Sequence, residues 1–371
     1  MAVFAVEDTS AQVCWSRVPG GAATLRAGDA SVDVSGDGPG AALLEGLPPG
    51  TDLTLEIRAQ GRTEVVERFR TLDPPPGPQL CRIVSVSDSH VGERAFGVLG
   101  TMRERRVEVP YPLRCLRAAL AEAQSWAPDA IVAKGDLTKH ARVAEFEAVG
   151  ATLSACAVPV QAILGNHDTE EDSVDGAWYL GRAGVQVSTT PRAVDLPGVR
   201  IILADSTKPP TNRGWLGDGR REAIVELAAD ADRPVLVFMH HYLQRYSHWT
   251  HWPPGVPGPQ AASLMADLVR VSPGVFVTCG HSHRSRAYRR AGAWVTEVGS
   301  TKDYPGVWAG YAVHEGGIRQ VVRRVAAPDC IAWTEHTARA VGGLWRLWSP
   351  GRREQRCFTA PWPRRQFPAA P

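Results

Sequence analysis

The chain has 371 residues with 41 Lys/Arg against 39 Asp/Glu, a formal net charge of +2, so no global field selects a polyanionic partner. Its 44% hydrophobic content excludes global disorder, and its length exceeds what one core usually fills, so two domains are expected. No apolar run reaches the roughly 18 residues of a spanning helix, and the seven scattered cysteines, odd in number, contain no C-x-x-C pair, which excludes zinc fingers and fits reduced thiols better than a disulfide framework. The opening MAVFAVEDTSAQ has neither a basic nor an apolar signal region. With reduced thiols, that makes a cytoplasmic location the expectation.

Residues 1–74 read as short strands. Apolar alternation runs through AQVCWSRV, where Val13 and Trp15 share a face, and through TDLTLEIRA, where Leu53, Leu55 and Ile57 do. GLPPGT at 46–51 is a turn between strands, and TEVVERFRTL leads into the stiff DPPPGP at 73–78. The spacing predicts a small all-β sandwich over 1–74 and a proline-rich linker over 75–80. The run GLPPGTDLTLEIRA…RFRTL resembles a fibronectin type III module and the N-terminal β-domain of purple acid phosphatases.

From residue 81 to 325 apolar runs alternate with amphipathic ones, the pattern of a layered α/β domain. Predicted strands are 82–87, 130–133, 160–164, 199–204, 235–239, 275–279, 293–298 and 318–325, with helices near 112–126, 141–155, 218–229 and 259–271. Residues 326–371 read as a Trp-rich helix and an irregular basic tail, with Trp333, Trp345 and Trp348 as packing residues.

Five predicted strands end in metal-type side chains: Asp88 and His90, then Asp136, then Asn166-His167-Asp168, then His240-His241, then His281 and His283. Strand carboxyl ends are where α/β sheets build ligand sites. D-x-H and H-x-H at strand ends are expected to present alternate side chains to one ion, and a carboxylate such as Asp136 can bridge two cations. His, Asp and Asn donors together suit Zn, Mn, Fe or Ni better than Mg or Ca. Glycines before Asp136, Asn166 and His281 permit close backbone approach.

D-x-H, G-D, G-N-H-D, H and G-H-x-H in this order resemble the signature of the calcineurin-like metallophosphoesterases, over about residues 80–315. The resemblance implies a four-layer αββα sandwich, so the fold expected is α/β with the small N-terminal β-sandwich. It also implies two divalent metal ions per chain (Mn, Fe or Zn): Asp88, His90 and His283 on the first, Asn166, His240 and His281 on the second, Asp136 between them. His167 falls where the family keeps the histidine that assists the leaving group, with Asp168 as its orienting partner. GDLT, ADST with GWLG, and MHH look like the class III cyclic-nucleotide phosphodiesterase branch. His90 and Lys139 stand where purple acid phosphatases carry Gly and Tyr, so an iron–tyrosinate centre is not expected. The family's H-H-P-P is replaced by HHYLQRYSHWTHWPP at 240–254.

The expected activity is phosphodiester hydrolysis, by attack of a metal-bridging hydroxide on phosphorus, with a small phosphoester as partner and neither membrane nor nucleic acid. Cyclic nucleotides lead the candidates. The alternatives are a phosphomonoesterase or nucleotide pyrophosphatase on the same site, or a catalytically silent protein-binding scaffold. His241, His248, His251 and Arg284 are further candidate substrate contacts, each weighed against a purely structural role.

Overall fold

The computed structural model describes residues 1–97, 100–105, 107–170, 174–246, 248, 252–272 and 274–363. Its first seven strands are β1 (Ala2–Val6), β2 (Ser10–Trp15), β3 (Ala22–Ala27), β4 (Ala30–Ser35), β5 (Gly40–Glu45), β6 (Asp52–Ala59) and β7 (Arg62–Arg70). They form two antiparallel sheets, in the orders β1-β2-β5 and β4-β3-β6-β7. Val13, Leu25, Leu44 and Leu55 are buried in the core they enclose. The alternation seen in TDLTLEIRA is that of β6: Leu55 and Ile57 are buried there, with Leu53 packed partly buried against them.

Two larger sheets follow. The first contains β8 (Gln79–Val86), β11 (Ala130–Lys134), β12 (Val160–Ile163), β13 (Gln186–Ser188), β20 (Val307–His314), β21 (Gly317–Arg324) and β22 (Phe358–Pro361). Its order is β13-β12-β11-β8-β20-β21-β22, parallel from β13 to β8 and antiparallel beyond. The second holds β14 (Arg192–Leu196), β15 (Val199–Ala204), β16 (Val235–Met239), β17 (Phe276–Cys279), β18 (Arg286–Arg290) and β19 (Ala293–Glu297), in the order β14-β15-β16-β17-β19-β18. A short hairpin, β9 (Ala95–Phe96) with β10 (Met102–Arg103), stands apart.

The two large sheets face each other. Leu236 and Phe238 of β16 join the core shared with β8 and β11, whereas Val235, Val237 and Met239 point to the opposite side. That opposite side is covered by Ile224 of α4 (Arg220–Ala229) and Leu264 and Leu268 of α5 (Gly258–Val271). The first sheet is covered by Leu116 and Leu120 of α1 (Tyr111–Ser125) and Phe146 and Val149 of α2 (Val143–Ser154), with α3 (Gly176–Arg182) packed on α2. A strand buried on both faces reads as a continuous apolar run rather than an alternating one, as VLVFM does. The four layers α, β, β, α follow.

Between the sheets Lys134 is fully buried. Its Nζ donates to Thr278 Oγ1 at 3.2 Å and the Cys279 carbonyl at 3.0 Å, and burial pushes its ammonium down to about 8. The C-terminal α6 (Pro328–Thr337), α7 (Leu344–Trp348) and α8 (Arg353–Arg356) pack back on this body: Trp333 stacks on Tyr111 with ring centres 4.0 Å apart.

The small sandwich is tied to the large sheets by buried charge. Glu7 accepts hydrogen bonds from Arg319 at 3.0 Å, from Arg323, and from Trp126 Nε1 at 3.2 Å, and Gln12 pairs with the backbone of Arg324. Glu7→Ala leaves Arg323 without its buried counter-charge and Arg319 with Asp8 alone. The expected cost is about 3 kcal/mol of stability, read as a lower urea midpoint of the full chain.

Candidate metal centre

The candidate ligands lie just past the strand ends. β8, β11 and β12 bring Asp88, His90, Asp136 and Asn166 from one sheet; β16 and β17 bring His240, His281 and His283 from the other. The pleat does not aim the D-x-H and H-x-H pairs, as the sequence led us to expect. β8 ends at Val86 and β17 at Cys279, and Asp88, His90, His281 and His283 all have positive φ (55°, 45°, 65° and 51°), as does Asp136 (48°). Non-glycine residues rarely adopt that conformation, and its clustering marks functional sites. Backbone hydrogen bonds hold the turns: Asp88 N to the Gly135 carbonyl at 3.1 Å and His90 N to the Asp136 carbonyl at 2.9 Å.

Close approach requires glycine at two of these turns. A Cβ on Gly135 would lie 2.7 Å from Gly165 N and 2.8 Å from His240 Nδ1, and one on Gly280 would lie 2.7 Å from Asp88 Oδ2.

The side chains converge. Asp88, His90 and His283 form one group; His240, His281 and His241 form another. Asp136 stands between them, its Oδ2 3.6 Å from His90 Nε2 and 3.3 Å from His240 Nε2. Ring nitrogens face one another directly: His90 Nε2 and His283 Nε2 at 3.2 Å, His240 Nε2 and His281 Nδ1 at 3.1 Å. Burial opposes charge on Asp136 and on His240, yet their mutual attraction holds the Asp136 carboxyl well below the usual carboxylate range and lifts His240 to about 9.

The other ring nitrogen of three of these histidines is held by an acceptor: His240 Nδ1 by the Lys134 carbonyl at 2.8 Å, His281 Nε2 by the Pro254 carbonyl at 3.3 Å, His283 Nδ1 by Asp303 Oδ2 at 2.6 Å. Such partners orient the ring and aim the converging nitrogen at the space a cation would fill. Asn166 Oδ1 is buried without a partner while its Nδ2 donates to Asn212 Oδ1 at 3.4 Å. Imidazole nitrogens, carboxylates and a free amide oxygen suit borderline divalent ions.

The remaining predicted residues separate. His167 lines the cavity beside Asp136, and its N–H donates to Asp136 Oδ1 at 2.9 Å. Its orienting partner is not Asp168. His167 Nδ1 meets the Lys139 carbonyl at 3.2 Å and Glu170 Oε1 at 3.0 Å. Asp168 is fully engaged elsewhere, accepting from the backbone of Leu137, Thr138 and Gly165 and from the Thr138 hydroxyl, so it staples two ligand loops. His241 is buried against Ser206 Oγ at 2.9 Å with Nε2 unpartnered and does not line the cavity; it is a candidate ligand rather than a substrate contact. His248 is exposed and stacked on Tyr246, away from the cavity. His251 lies outside the described residues. Arg284 also misses the cavity, with its guanidinium over Trp345 and Trp348.

Sequence reasoning missed several residues around the cavity of about 390 Å³: Phe96, Lys139, Asn212, Trp252, Lys302 and Trp345. It also missed the carboxylates behind it. Asp303 accepts from Trp345 Nε1 at 3.2 Å and lies 3.5 Å from Lys302 Nζ, which reaches Glu93 at 2.6 Å. The KDYP run after AWVTEV was a usable signal, because it follows a strand end at the same edge. Asp303→Asn weakens the hold on His283; the expected result is a drop of about 10–100-fold in metal affinity, measured by metal titration.

These features define a class. The profile of the calcineurin-like phosphoesterase superfamily domain matches residues 81–315, and the chain belongs to that family. That family implies divalent metal ions. The chain is 29% identical over 171 residues to the glycerophosphodiester phosphodiesterase GpdQ of Enterobacter lignolyticus, covering 44% of this chain and 60% of that protein. A probable cyclic nucleotide phosphodiesterase of Rhodococcus erythropolis is 27% identical over 59% of this chain and 70% of its own length. A dimetal phosphatase from Danio rerio superposes with a TM-score of 0.50 at 15% identity, over 67% of this chain and 97% of its own, a likeness of fold. Among the described residues no helix is long and apolar enough to cross a membrane.

Proposed function

We propose that the protein is a binuclear metal-dependent phosphodiesterase for small phosphodiesters. The observation that carries this is Asp136 Oδ2, held between His90 Nε2 of one donor group and His240 Nε2 of the other. Asp88, His90 and His283 would hold one ion, Asn166, His240 and His281 the second, with His241 in reach of the second and Asp136 common to both. Mn, Fe or Zn fits these donors. Bound there, divalent ions supply charge neutralisation at the phosphoryl group and a more acidic water.

The chain's own residues supply the rest. Asp303, the Lys134 carbonyl and the Pro254 carbonyl keep the imidazoles oriented. His167, its Nδ1–H held by Glu170 and the Lys139 carbonyl, would as an imidazolium give its Nε2 proton to the leaving alkoxide and be left neutral. Lys139 presents a cation to the anionic substrate at the cavity edge. Phe96, Trp252 and Trp345 give apolar surface to a second esterified group, which favours a diester over a monoester. Cyclic nucleotides and glycerophosphodiesters are the first substrates to try, on the activities of the relatives. The cytoplasm fits seven free cysteines.

The test is metal analysis of purified protein followed by hydrolysis of bis-p-nitrophenyl phosphate against the monoester, with Mn or Zn added. Two ions per chain and faster diester turnover are expected. Metal-loaded protein inert to both esters refutes the reading.

A further inference from the structure

A second cavity, of about 570 Å³, lies between the segment after His241 and the edge strand β18. Its size is that of a small-molecule site. Glu297 is among its lining residues, 3% exposed, with Ser282 beside its carboxyl group and Oε2 lacking a hydrogen-bond partner. A buried acceptor left unpaired is costly, so it marks a place for a donor. Arg286 faces Glu297 directly across the β18–β19 ladder, which sets both side chains on one face of the sheet, and it also lines the cavity. Their neighbours on that ladder are already engaged: Tyr288 donates to the Leu243 carbonyl at 3.1 Å, and Arg290 to the carbonyls of Gln244 and Gly258. Tyr242 and Tyr246 line the cavity with aromatic surface and Arg245 is an exposed cation on its lining, whereas Arg289 donates to the Gly292 carbonyl at 2.7 Å and lies over Trp294.

The chemistry these groups accept is specific. A donor and an acceptor side by side match a ring edge that carries a carbonyl next to an N–H. A free ammonium is disfavoured beside Arg286. Tyrosine rings accept a flat aromatic body, and an exposed arginine accepts a phosphate. Adenine has no carbonyl and no ring N–H on that edge; guanine and hypoxanthine have both.

We propose that this cavity is a second ligand site that takes a 6-oxopurine nucleotide, with the base edge on Glu297 and Arg286 and the phosphate on Arg245. The site adjoins the metal centre. Tyr242 lines it on one side, stacks on His281 on the other with ring centres 6.0 Å apart, and donates to the carbonyl of Pro253, which lines the first cavity.

The experiment is calorimetric titration of the full chain in EDTA, where no ion can hold a phosphate at the metal centre, with GMP, IMP, AMP and ribose 5-phosphate. GMP and IMP are expected to bind one per chain, with AMP and ribose 5-phosphate at least about tenfold weaker. Arg286→Ala and Glu297→Gln should each weaken GMP at least about tenfold, while metal-loaded Arg286→Ala turns over bis-p-nitrophenyl phosphate as the parent does. Arg286 sits half-buried on an edge strand, so its variant keeps the test decisive should Glu297→Gln fold poorly. Equal affinity for AMP and GMP, GMP binding unmoved by the substitutions, or no saturable binding at millimolar GMP overturns the proposal. Because binding is read without metal, a failure of the phosphodiesterase reading does not move this result.

Discussion

Asp136→Asn is expected to leave a folded protein that has lost its metals and nearly all turnover. Asparagine keeps the shape of the side chain and the oxygen that accepts the His167 N–H at 2.9 Å, so the turn at 135–138 survives. The charge is what goes. Asp136 Oδ2 lies between His90 and His240, and a neutral amide there would remove the anion that the proposed ions would share. Losing several kcal/mol of charge stabilisation corresponds to a fall on the order of 10³-fold in kcat/KM. Metal analysis should fall below two ions per chain, and the circular dichroism spectrum should match the parent. Normal metal content with near-normal turnover would remove Asp136 from the proposed role.

The part of this architecture that the sequence shows is the part written in short-range pattern. VLVFM is apolar throughout and RIVSVS is buried from Ile83 onward because both faces of their strands are covered, and each leads into the side chains of the candidate site. β20 escaped notice although it pairs with β8 at the centre of the first sheet. Its sequence, VWAGYAVH, carries Gly310 in mid-strand, normally a mark against a strand. The glycine is there because Trp126 packs over it: a Cβ would lie 2.8 Å from the indole ring. No local rule reveals a tryptophan arriving from the end of α1.

The same limit explains the site. Candidate ligands at fixed spacing past strand ends are legible; their supports are not. Asp303 meets His283 from 20 residues away and Trp345 from 42, through contacts that exist only after the C-terminal segment folds back. The trade of Asp168 for Glu170 has a related cause. Sequence adjacency favoured Asp168, but the 3₁₀ turn at Asn166–Asp168 puts residues three apart on one side, so His167 meets Glu170 while Asp168 turns inward to the backbone of Gly165 and Leu137.

That trade has a measurable consequence at the leaving group. If His167 delivers a proton from Nε2, its importance scales with the basicity of the departing oxygen. His167→Gln should cost about 10²–10⁴-fold in kcat on a diester with an alkyl leaving group, which departs poorly as an anion. On bis-p-nitrophenyl phosphate the phenolate leaves without help, and the loss should stay within about tenfold. Glu170→Gln should follow the same ranking with a smaller loss, because the Lys139 carbonyl at 3.2 Å still holds Nδ1. Asp168→Asn should instead show itself in stability, since four donors converge on that buried carboxylate. Equal losses on both esters for His167→Gln would mean the ring serves to bind substrate, not to protonate it. A leaving-group dependence that appears in the Asp168 variant and not in the Glu170 variant would return the orienting role to Asp168.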